Sequence, residues 1–115
     1  MNHIKKFEQE RDDLIKSNGK NKTLKSAAHN FLEESADVNY SYNFSWMGRP
    51  IIQYPQDMIA MQELIWKVKP DLIIETGIAH GGSLIFSASM LTLLETCGEI
   101  EKGEVLGIDI DIREH

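Results

Sequence analysis

The chain has little cysteine, no excess of positive charge and no long apolar run, and each shortage removes a class of protein. Cys97 is the single cysteine in 115 residues, so no internal disulfide can form, which fits a reducing compartment. Lysine and arginine total 12 against 18 aspartates and glutamates, for a formal net charge of -6. That balance lacks the basic footprint expected for duplex nucleic acid or an anionic membrane surface, so neither is an expected partner. A nucleotide-like small molecule needs no positive excess and stays compatible with it. No apolar stretch approaches the roughly 20 residues of a membrane span. Residues 1–11 are polar and charged, so no secretory leader is read there and the expected location is cytoplasmic. Repeats and low-complexity segments are missing as well. What is present is an ordinary apolar and charged fraction, enough for one domain with a modest core.

Residues 1–17 carry Ile4, Phe7, Leu14 and Ile15 at helical spacing, and Ser17-Asn18-Gly19 stops the helix with Gly19 as a C′ residue. A second helix is expected over 23–37, with Leu24, Ala27, Ala28, Phe31 and Leu32 on one face. Residues 1–38 thus read as an N-terminal helical accessory, either capping a sheet or packing on a partner subunit of a homo-oligomer. From 39 to 56 the aromatics Tyr40, Tyr42, Phe44, Trp46 and Tyr54, punctuated by Pro50 and Pro55, show no clear period and read as an ordered loop. Asp57 then looks like the N-cap of a helix over 58–69 that buries Ile59, Leu64, Ile65 and Val68. Pro70 ends it and biases Lys69 toward an extended backbone.

A short buried strand over 72–75, a helix over 82–96 stopped by Gly98, a charged loop over 99–104 and a mostly buried strand over 105–111 complete the chain. This order is a βαβ unit of an α/β fold with a parallel sheet. A two-stranded parallel sheet leaves an open edge and an uncovered face. Residues 39–115 are therefore expected to be the first, truncated part of a larger domain.

The chemistry concentrates where the first strand ends, in Glu75-Thr76-Gly77-Ile78-Ala79-His80-Gly81-Gly82-Ser83. The crevice outside the carboxyl ends of parallel strands is where α/β sheets bind ligands. Gly77 permits a tight turn, Gly81 and Gly82 remove side chains where backbone approaches a ligand, and the first amides of the next helix point outward. The G-x-x-x-G-G spacing departs from the dinucleotide G-x-G-x-x-G. With Glu75 placed to meet a cationic methionine end, it argues for S-adenosylmethionine over NAD. The plainer reading is a strand-to-helix turn whose glycines relieve packing. Asp109, at the end of the second strand, can accept both hydroxyls of a ribose. Asp111 competes for that role if the strand continues, since the two would alternate faces, and both acids could simply cap the following loop.

Other candidates carry less. His80 is the only one of His3, His29, His80 and His115 inside the glycine turn, where exposure at a loop tip is the simple reading. Asp109, Asp111 and His115 match no metal-ligand spacing, so no metal site is assigned within the chain. Cys97 has no base near it in sequence and reads as structural. Ser83 lacks the context of a nucleophile elbow and is better suited to capping the helix or bonding a cofactor carboxylate.

Several separate blocks, in order, resemble one family: Trp46-Met47-Gly48-Arg49-Pro50-Ile51-Ile52-Gln53-Tyr54-Pro55-Gln56-Asp57, Gln62-Glu63-Leu64-Ile65-Trp66, Pro70-Asp71-Leu72-Ile73-Ile74-Glu75-Thr76-Gly77, Gly81-Gly82-Ser83-Leu84-Ile85-Phe86 and Gly107-Ile108-Asp109-Ile110-Asp111-Ile112-Arg113. From Trp46 onward the chain is similar to the cephalosporin hydroxylase and rhamnosyl O-methyltransferase family. The resemblance implies a Rossmann-like class I methyltransferase fold that uses S-adenosylmethionine to methylate a small-molecule or glycan hydroxyl. It places the cofactor at Glu75, Thr76, Gly77, Ala79, Gly81, Gly82 and Ser83, with Asp109 on the ribose and the Gln53-Tyr54 block closing over it. It also implies a divalent metal such as magnesium, whose ligands, with the catalytic base, would lie on later strands outside these residues. The competing readings are an NAD(P)-dependent oxidoreductase fragment, disfavoured by the glycine spacing, and a non-catalytic fragment that only associates with another chain.

Overall fold

The computed structural model describes residues 2–112 and 114, in two compact units, Met1–Val38 and Asn39–His115. The first unit holds two helices, α1 (His3–Asn18) and α2 (Lys22–Asp37). Asparagines start both: Asn2 accepts from the Ile4 N–H at 3.0 Å and Asn21 from the Leu24 N–H at 3.0 Å. Gly19 does not take the left-handed C′ conformation read for it. At φ -61° it stays right-handed, because Lys20 and Asn21 continue in tight turns back to Ser17 and Asn18. Ile4, Phe7, Leu14 and Ile15 on α1 are exposed, as are Leu24, Phe31 and Leu32 on α2.

The second unit begins with a 3-10 turn, Tyr40–Tyr42, and then departs from expectation. Residues 44–51 form an antiparallel hairpin, β1 (Phe44–Trp46) and β2 (Arg49–Ile51), rather than a loop. Met47 and Gly48, both at positive φ (51° and 82°), make the two-residue connection that suits the right-handed twist of paired strands. Strands of three residues are too short to display alternation, which is why the sequence pattern hid them. Helix α3 (Pro55–Val68) also starts earlier than expected. Tyr54 is its N-cap, Pro55 takes the first-turn position where a missing N–H costs nothing, and Asp57 lies in the first turn near the positive end of the dipole. At the other end Lys69 is left-handed (φ 50°), not extended, and its N–H closes on the Ile65 carbonyl at 2.8 Å before Pro70.

Strands β3 (Leu72–Thr76) and β4 (Glu104–Ile108) pair in parallel, Leu72 opposite Glu104 and Thr76 opposite Ile108. Helix α4 (Gly82–Thr96) crosses between them. It ends as a Schellman motif: Gly98 at φ 73° donates to the Glu95 carbonyl and Glu99 to that of Leu94. Among the described residues the core is small, with Ile65, Leu91 and Leu94 buried and Ile73, Met90, Ile100 and Val105 packed against them. Of the stripe expected on α3 only Ile65 is buried. Ile59, Leu64 and Val68 are exposed, because α4 covers one side of the helix only. Nor are the strands buried on both faces. Ile73 and Glu75 on β3, like Val105 and Gly107 on β4, are partly covered, while Leu72, Ile74, Leu106 and Ile108 are exposed. Among the described residues no helix is long and apolar enough to cross a membrane.

Candidate functional site

The site is the edge at which β3 and β4 end. Glu75, one residue before the end of β3, is half-buried on the α4 side and accepts a short hydrogen bond from the Ser83 hydroxyl in the first turn of that helix. Ser83 therefore spends its hydroxyl on Glu75 rather than on capping; the N-cap is Gly81, at φ 81°, which has no side chain to offer. Thr76 lies on the opposite, exposed face of β3, so its side chain does not join Glu75 and Ser83.

Three turn residues between them take positive φ: Gly77 at 74°, Ala79 at 45° and Gly81 at 81°. A Cβ on Gly77 would meet open space, so glycine is used there for its backbone alone. Gly82 differs. A Cβ there would lie 2.1 Å from the Pro50 carbonyl oxygen and 2.7 Å from the Ile51 Cβ. Its missing side chain admits the hairpin, not a ligand, so the packing explanation applies at this glycine. Gly107 serves similarly in β4, where a Cβ would press on Leu84 and Ile78 at 2.7 and 2.8 Å.

Asp109 follows β4, which stops at Ile108, so Asp109 and Asp111 do not alternate along a strand. One Asp109 oxygen accepts from the Ile78 N–H at 2.8 Å, tying the end of β4 to the glycine turn. The other accepts from the Asp111 N–H at 3.0 Å and turns the chain. These N–H groups, Asp111 first and Ile78 second, hold the Asp109 carboxyl below its ordinary range. Only the Ile78 and Asp111 N–H groups reach it at hydrogen-bond distance among the described residues. The loop-capping reading is thus part of its role, and the nearby Ala79 and Ile110 N–H groups lower the carboxyl further to a smaller extent.

Two depressions meet along Glu75 and Ser83. One, about 120 Å³, is walled by the turn and by Ile51, Ile52 and Gln53. The other, about 310 Å³, runs between α3 and β3 past Asp57, Met58 and Met61. Gln53 lines both, while Tyr54 stacks at a tilt on Tyr40, ring centres 6.0 Å apart. His80 is exposed at the turn, and Cys97 is the exposed C-cap of α4. No three His, Cys, Asp or Glu side chains among the described residues are grouped to hold a metal ion. His115, read with Asp109 and Asp111 as a weak metal candidate, and Arg113, in the last block of resemblance, lie outside the described residues.

A family model described as rhamnosyl O-methyltransferase/CmcI matches residues 38–115. The chain belongs to this family. No curated protein and no solved structure matches it. The α/β arrangement, with a parallel pair joined through α4, is the βαβ unit of a Rossmann-like sheet, as the resemblance implied.

The rhamnosyl O-methyltransferase/CmcI match also covers the hairpin, which contributes residues that sequence reasoning passed over. Trp46 Nε1 donates to the Ser89 hydroxyl at 2.9 Å, and its ring meets Phe86 edge-on, centres 4.9 Å apart. Ile51 is buried. So anchored on α4, the hairpin holds Arg49 over the turn, where Nη1 donates to the His80 carbonyl at 3.2 Å. Aromatic and β-branched residues flanking Met47-Gly48 were the available signal for it.

Proposed function

We propose that residues 39–115 form the cofactor-binding part of an S-adenosylmethionine-dependent O-methyltransferase acting on a small-molecule or sugar hydroxyl, with residues 1–38 a helical accessory. One observation carries this reading. Two carboxylates, Glu75 and Asp109, flank a positive-φ glycine turn at the end of a parallel sheet and, among the described residues, bond there only to neutral donors. A carboxylate offers about four acceptor positions. Ser83 takes one on Glu75, and the Ile78 and Asp111 N–H groups take two on Asp109 at hydrogen-bond distance. The rest suit an ammonium group and a pair of ribose hydroxyls, so the donor set fits the cofactor.

In this reading Glu75 binds the ammonium of the methionine end, oriented by Ser83, and Asp109 binds the ribose. Gly77 and Gly81 keep the turn close to the ligand, and Gln53 borders the same space. When bound, the cofactor supplies a sulfonium methyl that is electrophilic toward an acceptor oxygen. The chain's contribution is to hold that methyl in line, which is mainly an entropic and orientational gain. An acid on the ribose also suits NAD, but Glu75 opposite a cationic end does not, which favours the methyl donor.

Isothermal titration of the protein with S-adenosylmethionine, and separately with NAD, tests the assignment. Binding of the former with affinity reduced about tenfold or more in Asp109→Ala is expected. No heat at millimolar S-adenosylmethionine, or an unchanged Kd in the variant, sinks it.

A further inference from the structure

Arg49 stands out in the second unit. The other described basic side chains there, Lys67, Lys69 and Lys102, all precede a strand and sit toward the edge where the sheet begins. Arg49 alone among them is at the edge where it ends. No carboxylate among the described residues lies within ion-pair distance of it. One of its five N–H groups is spent on the His80 carbonyl, which fixes the guanidinium over the turn. Its stem passes 3.5 Å from where a Gly81 Cβ would be. Beside it is a depression of about 320 Å³ lined by Met47, Gly48, Arg49, Pro50 and His80, which shares Pro50 and His80 with the smaller depression at Glu75 and Ser83.

We propose that Arg49 is the carboxylate-recognition residue of this site, binding the α-carboxylate at the amino-acid end of the cofactor. The inference rests on the S-adenosylmethionine reading above and adds a residue to it. Charge complementarity supports the assignment. The ligand carries an ammonium, a sulfonium and one carboxylate; the edge presents Glu75, Asp109 and Asp111, with Asp57 in the adjoining depression, against one Lys or Arg cation among the described residues of this unit. A guanidinium is the side chain best shaped for paired hydrogen bonds to a carboxylate. It is also held on a rigid element. Arg49 shares the inward face of β2 with buried Ile51, and Gly82 lets the hairpin backbone press onto α4.

Titration of the full chain with S-adenosylmethionine and with its decarboxylated analogue, which keeps the sulfonium and the amine, isolates the carboxylate. Wild-type protein is expected to prefer the intact cofactor by about tenfold. In Arg49→Gln, and in Arg49→Met (which retains most of the stem), the preference collapses to near unity, and Arg49→Lys restores part of it. Thermal melts of each variant accompany the titrations, and two neutral variants guard against one that fails to fold. A residue that merely staples the turn would weaken both ligands equally and leave their ratio unchanged, which overturns the proposal. So does an unchanged ratio with unaltered affinities, as expected if Arg49 faces a carboxylate on the acceptor. If wild-type protein binds neither ligand, the cofactor reading itself fails and this inference fails with it.

Discussion

Where β3 and β4 begin, charges answer charges. Lys69 Nζ lies 2.6 Å from Glu99 and 4.5 Å from the centre of the Trp66 ring, and Lys102 Nζ lies 2.9 Å from Glu104. The hydrogen bond and charge of Glu104 raise the Lys102 pKa above its ordinary value. Where the same strands end, Glu75 meets a hydroxyl, Asp109 meets backbone N–H groups, and no Lys or Arg among the described residues pairs with either. Among the described residues only the first edge pairs carboxylates with lysines, although Asp71 and Glu101 there make no ion pair. Uncompensated anions on a rigid, glycine-lined edge are costly to stability and suited to a cationic ligand. The contrast therefore distinguishes the two edges without appeal to sequence motifs and supports the binding role proposed for the second.

The contrast breaks most severely at Gly82. A Cβ in Gly82→Ala would collide with the Pro50 carbonyl, a backbone atom that cannot swing aside. Displacing the hairpin is expected to cost about 3 kcal/mol. Urea denaturation reads this directly, and an unchanged midpoint would show that the hairpin does not press on the turn.

Asp109→Asn sharpens the electrostatic half. The folded carboxyl titrates below its ordinary 3.8 because Asp111 and Ile78 donate to the anion. Its contribution to stability is therefore complete above that ordinary value and is lost as pH falls through the lower folded pKa. Melting temperatures of the variant should fall less steeply on acidification below pH 3.8 than those of wild type. Parallel acid limbs would contradict the assigned hydrogen bonds.

Trp46→Phe keeps the ring on Phe86 but removes the bond to Ser89, for a loss of about 1 kcal/mol. Calorimetry should detect it as a lower melting temperature, and no change would make that bond dispensable. Lys69→Met is the smallest perturbation, because pairs as exposed as Lys69–Glu99 contribute roughly 0–1 kcal/mol and are screened by salt. Its difference from wild type should shrink in high salt, with S-adenosylmethionine affinity untouched. A change in affinity would mean that the two edges are not independent.

Elements whose cause is local were legible. Helix α4 was read at 82–96 because an apolar run begins after two glycines and stops at Gly98, whose positive φ permits the Schellman closure. The sequence pattern predicts β3 one residue short and carries β4 three residues too far, since the Asp109 side chain ends it by bonding the Asp111 N–H. The start of α3 is hidden in the sequence because Asp57 resembles a cap while Pro55, at the first-turn position, already begins the helix. The hairpin was missed for want of length, and because Met47 is not the Asn or Asp usual in such turns.

The candidate site divides in the same way. Glu75, the glycine turn, Ser83 and Asp109 could be named from their order along the chain, as could the family. The role of Gly82 could not, because it depends on a hairpin passing overhead, and Arg49 was seen only as a letter in a motif. The bonds from Arg49 to His80 and from Ile78 to Asp109 each span 31 residues. Backbone sterics, capping and apolar periodicity act over a few residues, so the sequence by itself determined the βαβ order and the positions where only glycine is comfortable. Packing Trp46 and Ile51 against α4 brings Arg49 to His80, and pairing β4 beside β3 brings Asp109 to Ile78, and only the tertiary structure records either event.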